Sequence, residues 1–130
     1  MWDGPESELT LTENAQPALM AVSMAVVTVL AENGVKLSEN AAYVAGHSLG
    51  EYSALTASGA LELEDAARLL KLRGQAMQRA VPVGVGAMAA LLGLDFEAVV
   101  EVAEEAGQGE EICAAANDNA VGQVVVSGHV

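Results

Sequence analysis

The stretch that decides the fold is Tyr43–Leu55, YVAGHSLGEYSAL. A short apolar run precedes Ser48, a helical pattern follows it, and Gly46 and Gly50 stand two positions to either side. Gly-x-Ser-x-Gly between a strand and a helix is the pattern of a nucleophile elbow, a sharp turn that exposes a serine hydroxyl. Side chains two positions before and after that serine are expected to collide, which explains both glycines. The pattern predicts that Ser48 is a nucleophile, exposed where a strand becomes a helix.

Two neighbours of Ser48 have different expected roles. The helix after the elbow directs its first unpaired N–H groups at the serine, so the N–H of Leu49 is placed to stabilise an oxyanion. A serine also needs a base, and the sequence contains only His47 and His129. Adjacent side chains point apart on an elbow, so His47 is expected to pack or hydrogen bond instead. His129 is best explained as a surface histidine, and no base is assigned.

A second helix, predicted from about Glu62 to just before Pro82, has an arginine on its apolar side. The apolar stripe comprises Ala66, Leu69, Leu70, Ala76, Met77 and Ala80, and the residues expected in solvent are Arg68, Lys71, Gln75, Gln78 and Arg79. Arg73 stands within the stripe, where a guanidinium needs an anionic partner or a route to solvent. An internal salt bridge, a side chain that reaches solvent and a clamp for a substrate carboxylate all remain open.

Composition limits the possible partners. The chain has 130 residues, of which 52% are hydrophobic, and this predicts a packed core. A formal net charge of −13 argues against a broad nucleic-acid footprint. The single cysteine, Cys113, excludes an internal disulfide and fits a reducing, cytoplasmic setting. No His, Cys or Asp cluster has the spacing of a metal site, so none is expected.

The most apolar segment, residues 17–31, predicts a helix that is buried on most sides. It is shorter than the roughly 20 residues that a membrane span needs, and no basic leader precedes it. Pro17 is expected in the first turn of this helix and Gly34 just beyond its end. The following LSENA is expected to be a loop, and residues 42–46 a short buried strand.

Residues 84–130 predict a second module with the order β-α-β-β, after a hinge near Pro82. Its strand candidates are AMAALLG, EICAAAN and QVVVSG, its helix is DFEAVVEVAEEAG, and DNAVG is expected to connect the last two strands. The apolar face of that helix is predicted to comprise Phe96, Val99, Val100 and Ala103. One strand near residues 42–46 cannot form a sheet alone, so the chain is expected to be a fragment of something larger.

Together these segments resemble the malonyl-CoA:acyl carrier protein transacylase family. The matching segments are GHSLGEYSAL, RGQAMQ, TENAQPAL and ANDNAVGQVVVSGH. Arg73 follows Ser48 by twenty-five positions (73 − 48), and the resemblance covers essentially all 130 residues. It implies an α/β class fold in which residues 1–83 are part of an α/β-hydrolase-like large subdomain. Residues 84–130 would be the start of a ferredoxin-like small subdomain.

The resemblance also implies a site and a reaction. Ser48 would carry the malonyl group as an ester, Leu49 would supply one oxyanion N–H, and Arg73 would bind the free malonyl carboxylate. Further substrate-binding positions implied in this way are His47, Gln16, Asn117 and Asn119. The malonyl group would pass from malonyl-CoA to the phosphopantetheine thiol of acyl carrier protein, in cytoplasmic fatty acid biosynthesis. No bound cofactor, nucleic acid or membrane is implied.

Three alternatives remain beside this interpretation. A polyketide-synthase acyltransferase domain shares the serine elbow and the arginine, although LGEYSAL and TENAQPAL favour the fatty-acid enzyme. A serine hydrolase has no reason to bury Arg73. An inactive fragment is the third, because the family's second oxyanion donor and its base histidine fall outside this sequence.

The basic patch of Arg68, Lys71 and Arg79 is interpreted as a solvated helix face in preference to a docking surface for acyl carrier protein.

Overall fold

The chain folds into two compact units, Met1–Ala80 and Val81–Val130, in a computed structural model that describes residues 1–130. The first unit contains five helices: α1 (Glu6–Leu9), α2 (Thr12–Glu32), α3 (Leu37–Asn40), α4 (Gly50–Ala57) and α5 (Leu63–Ala80). The second contains β1 (Gly86–Leu92), α6 (Phe96–Ala106), β2 (Cys113–Ala120) and β3 (Gln123–His129). The division falls after residue 80, whereas the sequence placed it after residue 83.

Helix α2 begins earlier than its apolar run. It starts at Thr12, so the expected place of Pro17 in the first turn is wrong, and this proline lies inside the helix. A proline there removes one backbone hydrogen bond. The predicted end is confirmed, because Gly34 has a φ of 84° and the N–H of Val35 donates to Leu30 O at 2.9 Å. Because α2 begins at Thr12, Thr12 and Gln16 lie on the same helix, one turn apart.

The prediction that α2 is buried on most sides is wrong for this chain. Of its side chains only Gln16 and Met20 are buried, and Val22, Val26 and Val29 are exposed. The helix has 21 residues and is long and apolar enough to cross a membrane, with 11% of its most apolar window buried. The reason for the exposure is that α1, α4 and α5 cover only part of its surface.

The core of the first unit is small. Met20, Ala66 and Leu70 are fully buried, and the half-buried side chains packed against them are Met24, Leu49, Tyr52, Leu61 and Ala67. On α5 the buried positions are Ala66, Leu70 and Gly74, so the buried face of the helix is rotated relative to the predicted apolar stripe. Its other large members, Leu69 and Met77, are 42% and 46% exposed. Gly74 belongs to the buried face because α5 touches the backbone of α2 there.

One loop and one strand were assigned wrongly from the sequence. The expected loop LSENA contains the single-turn helix Leu37–Asn40, and Glu6–Leu9 forms another single turn. Residues 42–46 form no strand, since a strand requires a hydrogen-bonded neighbour and the first unit offers none. Helices α4 and α5 agree with the predictions, and Gly59 closes α4 with a φ of 80°.

The second unit has the predicted β-α-β-β order. Its three strands form an antiparallel sheet in the order β1-β3-β2, with α6 against it. Val99 and Ala103 of α6 and Val124 of β3 are buried between helix and sheet, whereas Phe96 is 39% exposed. Strand β2 extends to Ala120, so the connection to β3 is shorter than the expected DNAVG. The helices of the first unit and this sheet give the chain α/β content.

Candidate functional site

Ser48 occupies the sharp turn that the motif predicts. Its φ of 56° is the only positive value at a residue other than glycine, and such a conformation costs about 1–2 kcal/mol. A Cβ on Gly46 would overlap the carbonyl group of Gly50, so this position must be glycine. A Cβ on Gly50 would meet nothing within 4 Å, so the expected steric need for the second glycine is wrong.

The N–H group of Leu49 lies at the start of α4 and has no protein acceptor. The next three N–H groups donate to the carbonyls of His47, Ser48 and Leu49 at 2.9, 3.2 and 3.1 Å, respectively. Helix N-termini carry a partial positive charge, and their unpaired N–H groups bind anions. The Leu49 N–H is therefore a donor available to an oxyanion next to Ser48.

His47 lacks the packing or hydrogen bond that the sequence predicted for its side chain, whereas its expected role in substrate binding stays a prediction. Its side chain is exposed and makes no hydrogen bond, whereas a packed or hydrogen-bonded histidine was predicted. His47 and Ser48 do not hydrogen bond to each other, in agreement with the argument against His47 as the base.

Arg73 meets Ser48 directly. Its Nη2 donates to Ser48 Oγ at 3.0 Å and its Nη1 donates to Gln16 Oε1 at 2.5 Å. The guanidinium is half-buried and pairs with no aspartate or glutamate. The internal salt bridge left open above is thereby excluded, and the positive charge beside the serine hydroxyl has only neutral partners.

Gln16 lies behind Arg73, away from solvent. It is the one buried polar side chain, with 4% of its surface exposed, and its expected role in substrate binding stays a prediction. Its Nε2 contacts Thr12 Oγ1 at 2.9 Å and Met77 Sδ at 3.3 Å. Thr12 and Met77 were not predicted to belong to the site. The spacing could have indicated them, because Thr12 precedes Gln16 by four positions and Met77 follows Arg73 by four, which is about one helical turn.

Asn117 and Asn119 belong to the second unit, on β2. Asn117 pairs with Val125 of β3, and the ladder shifts register on either side of the Asn117–Asp118 pair. Of the predicted site residues, Gln16, Ser48, Leu49 and Arg73 belong to the first unit, where Arg73 hydrogen bonds to both Gln16 and Ser48. His129 is exposed at the end of β3, and its Nδ1 accepts a hydrogen bond from the Ile112 N–H at 2.9 Å.

The basic residues of α5 are partly neutralised by neighbouring acids. Arg68 contacts Glu64 at 2.5 Å and Asp65 at 3.9 Å, and Lys71 contacts Glu13 at 3.1 Å. These pairs support the interpretation of this patch as a solvated helix face. No group of three or more His, Cys, Asp or Glu side chains is arranged to hold a metal ion.

Comparisons with known proteins connect this geometry to a family. The family model described as "Acyl transferase domain" matches residues 1–130. The malonyl CoA-acyl carrier protein transacylase of Bacillus subtilis is 47% identical over 128 residues, which are 98% of this chain and 39% of that protein. The chain thus spans about two fifths of the length of such curated relatives.

Solved structures give the same result. The acyl-carrier-protein S-malonyltransferase of Bartonella henselae has a TM-score of 0.88 and 57% identity, covering 98% of this chain and 40% of that one. A malonyl-transacylase solved in complex with a type II polyketide-synthase acyl-carrier protein has a TM-score of 0.87 and 46% identity, with the same coverage. The resemblance stated from the motifs is confirmed: this chain belongs to the acyl transferase domain family.

Proposed function

We propose that residues 1–130 carry the acyl-loading site of an enzyme that transfers a malonyl group from malonyl-CoA to acyl carrier protein, as in fatty acid biosynthesis. Ser48 is the nucleophile, Leu49 provides one oxyanion N–H, and Arg73 binds the free carboxylate of the acyl group. Residues 1–83 and 84–130 are, on this proposal, parts of α/β-hydrolase-like and ferredoxin-like subdomains.

One observation carries the proposal: the Arg73 guanidinium contacts Ser48 Oγ while pairing with no acidic side chain. A half-buried cation without an anionic partner favours an incoming anion, and guanidinium matches a carboxylate in a bidentate way. In a malonyl thioester, one methylene group separates the free carboxylate from the reacting carbonyl. Arg73 can therefore hold one end of the acyl group while Ser48 attacks the other.

The reaction consists of two acyl transfers. Ser48 Oγ attacks the thioester carbonyl, its proton passes to a general base, and the tetrahedral oxyanion accepts a hydrogen bond from the Leu49 N–H. The C–S bond breaks and CoA leaves as the thiol. The phosphopantetheine thiol of acyl carrier protein then takes the acyl group from Ser48. The family resemblance assigns the base to a histidine outside residues 1–130.

The proposal also covers substrate binding and location. Asn117 and Asn119 of β2, together with His47 and Gln16, remain candidate substrate-binding residues. The enzyme needs no bound cofactor for acyl transfer, and we place it in the cytoplasm. Since the whole of α2 lies within the family match, we interpret this helix as a core helix of the complete domain and not as a membrane span.

The test uses a chimera in which residues 1–130 replace the matching 128-residue stretch of the Bacillus subtilis transacylase. After mixing with malonyl-CoA, we expect intact-mass spectrometry to show a malonyl ester on Ser48 and none in Ser48→Ala. Adding acyl carrier protein with its phosphopantetheine thiol should discharge the ester faster than water does. Faster discharge by water would favour a serine hydrolase, and an unloaded chimera that folds would overturn the proposal.

A further inference from the structure

We propose that Thr12 and Met77 are positioning residues that fix the side-chain amide of Gln16, so that its oxygen holds Arg73 without neutralising the guanidinium charge. The inference rests on the proposed function, because it concerns how the acyl-binding arginine is aimed. It adds to that function two residues that touch neither the acyl group nor the serine.

The chemistry of the three neighbours determines which way the Gln16 amide points. Arginine can only donate hydrogen bonds and the thioether of Met77 can only accept them. The amide oxygen must therefore face Arg73, and the NH2 group must face Met77 Sδ at 3.3 Å and Thr12 Oγ1 at 2.9 Å. A flipped amide would place NH2 against the guanidinium, and both groups would lose their partners.

Close packing of two helices makes this arrangement possible. A Cβ on Gly74 would stand 2.5 Å from Glu13 Cα and 2.8 Å from Thr12 O, so only glycine allows α5 to lie against the first turn of α2. Arg73 directly precedes Gly74, and Gln16 lies one turn after Thr12. The contact between the two backbones thus brings the guanidinium within hydrogen-bond distance of the amide.

A neutral acceptor at position 16 has a consequence for specificity. A carboxylate there would form a half-buried ion pair with Arg73 and would compete with the carboxylate of the substrate. Gln16 orients the guanidinium and leaves its charge uncompensated. On this account the glutamine preserves the preference for an acyl group with a distal negative charge.

The first experiment measures the orientation without any substrate. In the chain of residues 1–130, 15N NMR would follow solvent exchange of the two Gln16 side-chain amide protons, which are buried. Thr12→Val removes the hydroxyl acceptor, and exchange should accelerate about five- to tenfold. Thr12→Ser keeps the hydroxyl and should stay within about twofold of the parent chain. The separate Arg73 Nη signals of a restrained guanidinium should merge in Thr12→Val and stay separate in Thr12→Ser.

Met77→Leu keeps the apolar volume and removes the sulfur acceptor. This variant should also accelerate exchange of the Gln16 side-chain amide protons. If the backbone amide spectrum of Thr12→Val shows that this variant does not fold, the Met77→Leu result tests the proposal in its place. Equal exchange in the parent, Thr12→Val and Met77→Leu chains would overturn the proposal. So would an equal acceleration in Thr12→Val and Thr12→Ser, since the serine retains the hydroxyl acceptor.

The second experiment tests the neutral acceptor in the chimera. Gln16→Glu should lower the ratio of malonyl to acetyl loading on Ser48 about tenfold, because the new carboxylate competes for Arg73. An unchanged ratio would overturn this part of the inference. Failure of the proposed function is distinguishable, because the NMR result involves no acyl group, whereas an unloaded Ser48 in the unmodified chimera concerns the function alone.

Discussion

The two units of the chain differ in what holds their elements together. In the second unit every strand pairs with a neighbour, and α6 is capped by Asp95 and buries Val99 against the sheet. In the first unit five helices share three fully buried apolar side chains, and the apolar surface of α2 is largely exposed. Gln16, Ser48, Leu49 and Arg73 of the candidate site belong to the first unit, and Asn117 and Asn119 lie on β2 of the second.

The difference teaches that a precise site does not require a large core around it. Ser48 is held by the turn that Gly46 permits, and Arg73 by the helix contact that Gly74 permits. Both restraints depend on close backbone contacts that any side chain larger than hydrogen at position 46 or 74 would prevent. The second unit depends instead on ladder hydrogen bonds and apolar packing, so substitutions in the two units should have effects of different kinds.

The largest expected effect is that of Gly46→Ala. The added methyl group overlaps the backbone of Gly50, so the free energy of unfolding of the first unit should fall by at least about 3 kcal/mol. Chemical denaturation followed by residue-resolved hydrogen exchange would measure each unit separately. Gly50→Ala, with open space around its Cβ, is the matched control and should change stability by less than about 1 kcal/mol. Equal losses in the two variants would contradict the account of the elbow.

The next effect belongs to the second unit. Val99 is fully buried between α6 and the sheet, so Val99→Ala should cost about 2 kcal/mol through lost burial and a residual cavity. Exchange protection should fall in residues 81–130 and stay the same in residues 1–80. Val102→Ala, on the exposed side of α6, serves as the control. A loss of protection spread equally over both units would show that they do not unfold independently.

The helix cap of α6 should have a smaller effect. The Asp95 side chain accepts a hydrogen bond from the Ala98 N–H at 2.9 Å, and its negative charge lies at the positive end of the helix. Asp95→Ala should destabilise the second unit by about 1 kcal/mol, and Asp95→Asn, which keeps the acceptor, by less. Thermal unfolding followed by circular dichroism would measure both. A greater loss in Asp95→Asn than in Asp95→Ala would exclude capping as the cause.

The smallest effect is expected on the surface of α5. Arg68 and its acidic neighbours Glu64 and Asp65 are all mostly exposed, so Arg68→Ala should change the free energy of unfolding by less than about 0.5 kcal/mol. The same variant in the chimera should retain malonyl loading on Ser48. A clear loss of discharge to acyl carrier protein would contradict the solvated-face interpretation and make this patch a docking surface.

The sequence predicted those features that depend on short-range rules. The elbow follows from the spacing of Gly46 and Ser48 with a helix after them, and the β-α-β-β order follows from periodicity and turn residues. Gly34 marks the C-terminal end of α2 because it can adopt a positive φ at little cost. Arg73 was identified as unusual, although its contacts could not be assigned from its position alone.

The remaining features depend on contacts between distant segments. The expected strand at residues 42–46 has no partner in its unit, and apolar character alone cannot supply one. The need for glycine at position 74 arises only from the approach of α2, which its place in the sequence does not reveal. Thr12 lies in the segment TENAQPAL and Met77 in RGQAMQ, but their role could not be assigned from the sequence, because it depends on which atoms surround the amide of Gln16.

The most direct test of the central claim is the acyl preference of Ser48 in the chimera with and without the Arg73 guanidinium. Initial rates of malonyl and acetyl loading would be compared for the parent and Arg73→Ala by intact-mass spectrometry. We expect malonyl loading to fall about thirty- to a hundredfold, as for loss of a charge-assisted contact, and acetyl loading to change less than about threefold. Equal losses on both acyl groups would contradict the claim that Arg73 binds the distal carboxylate.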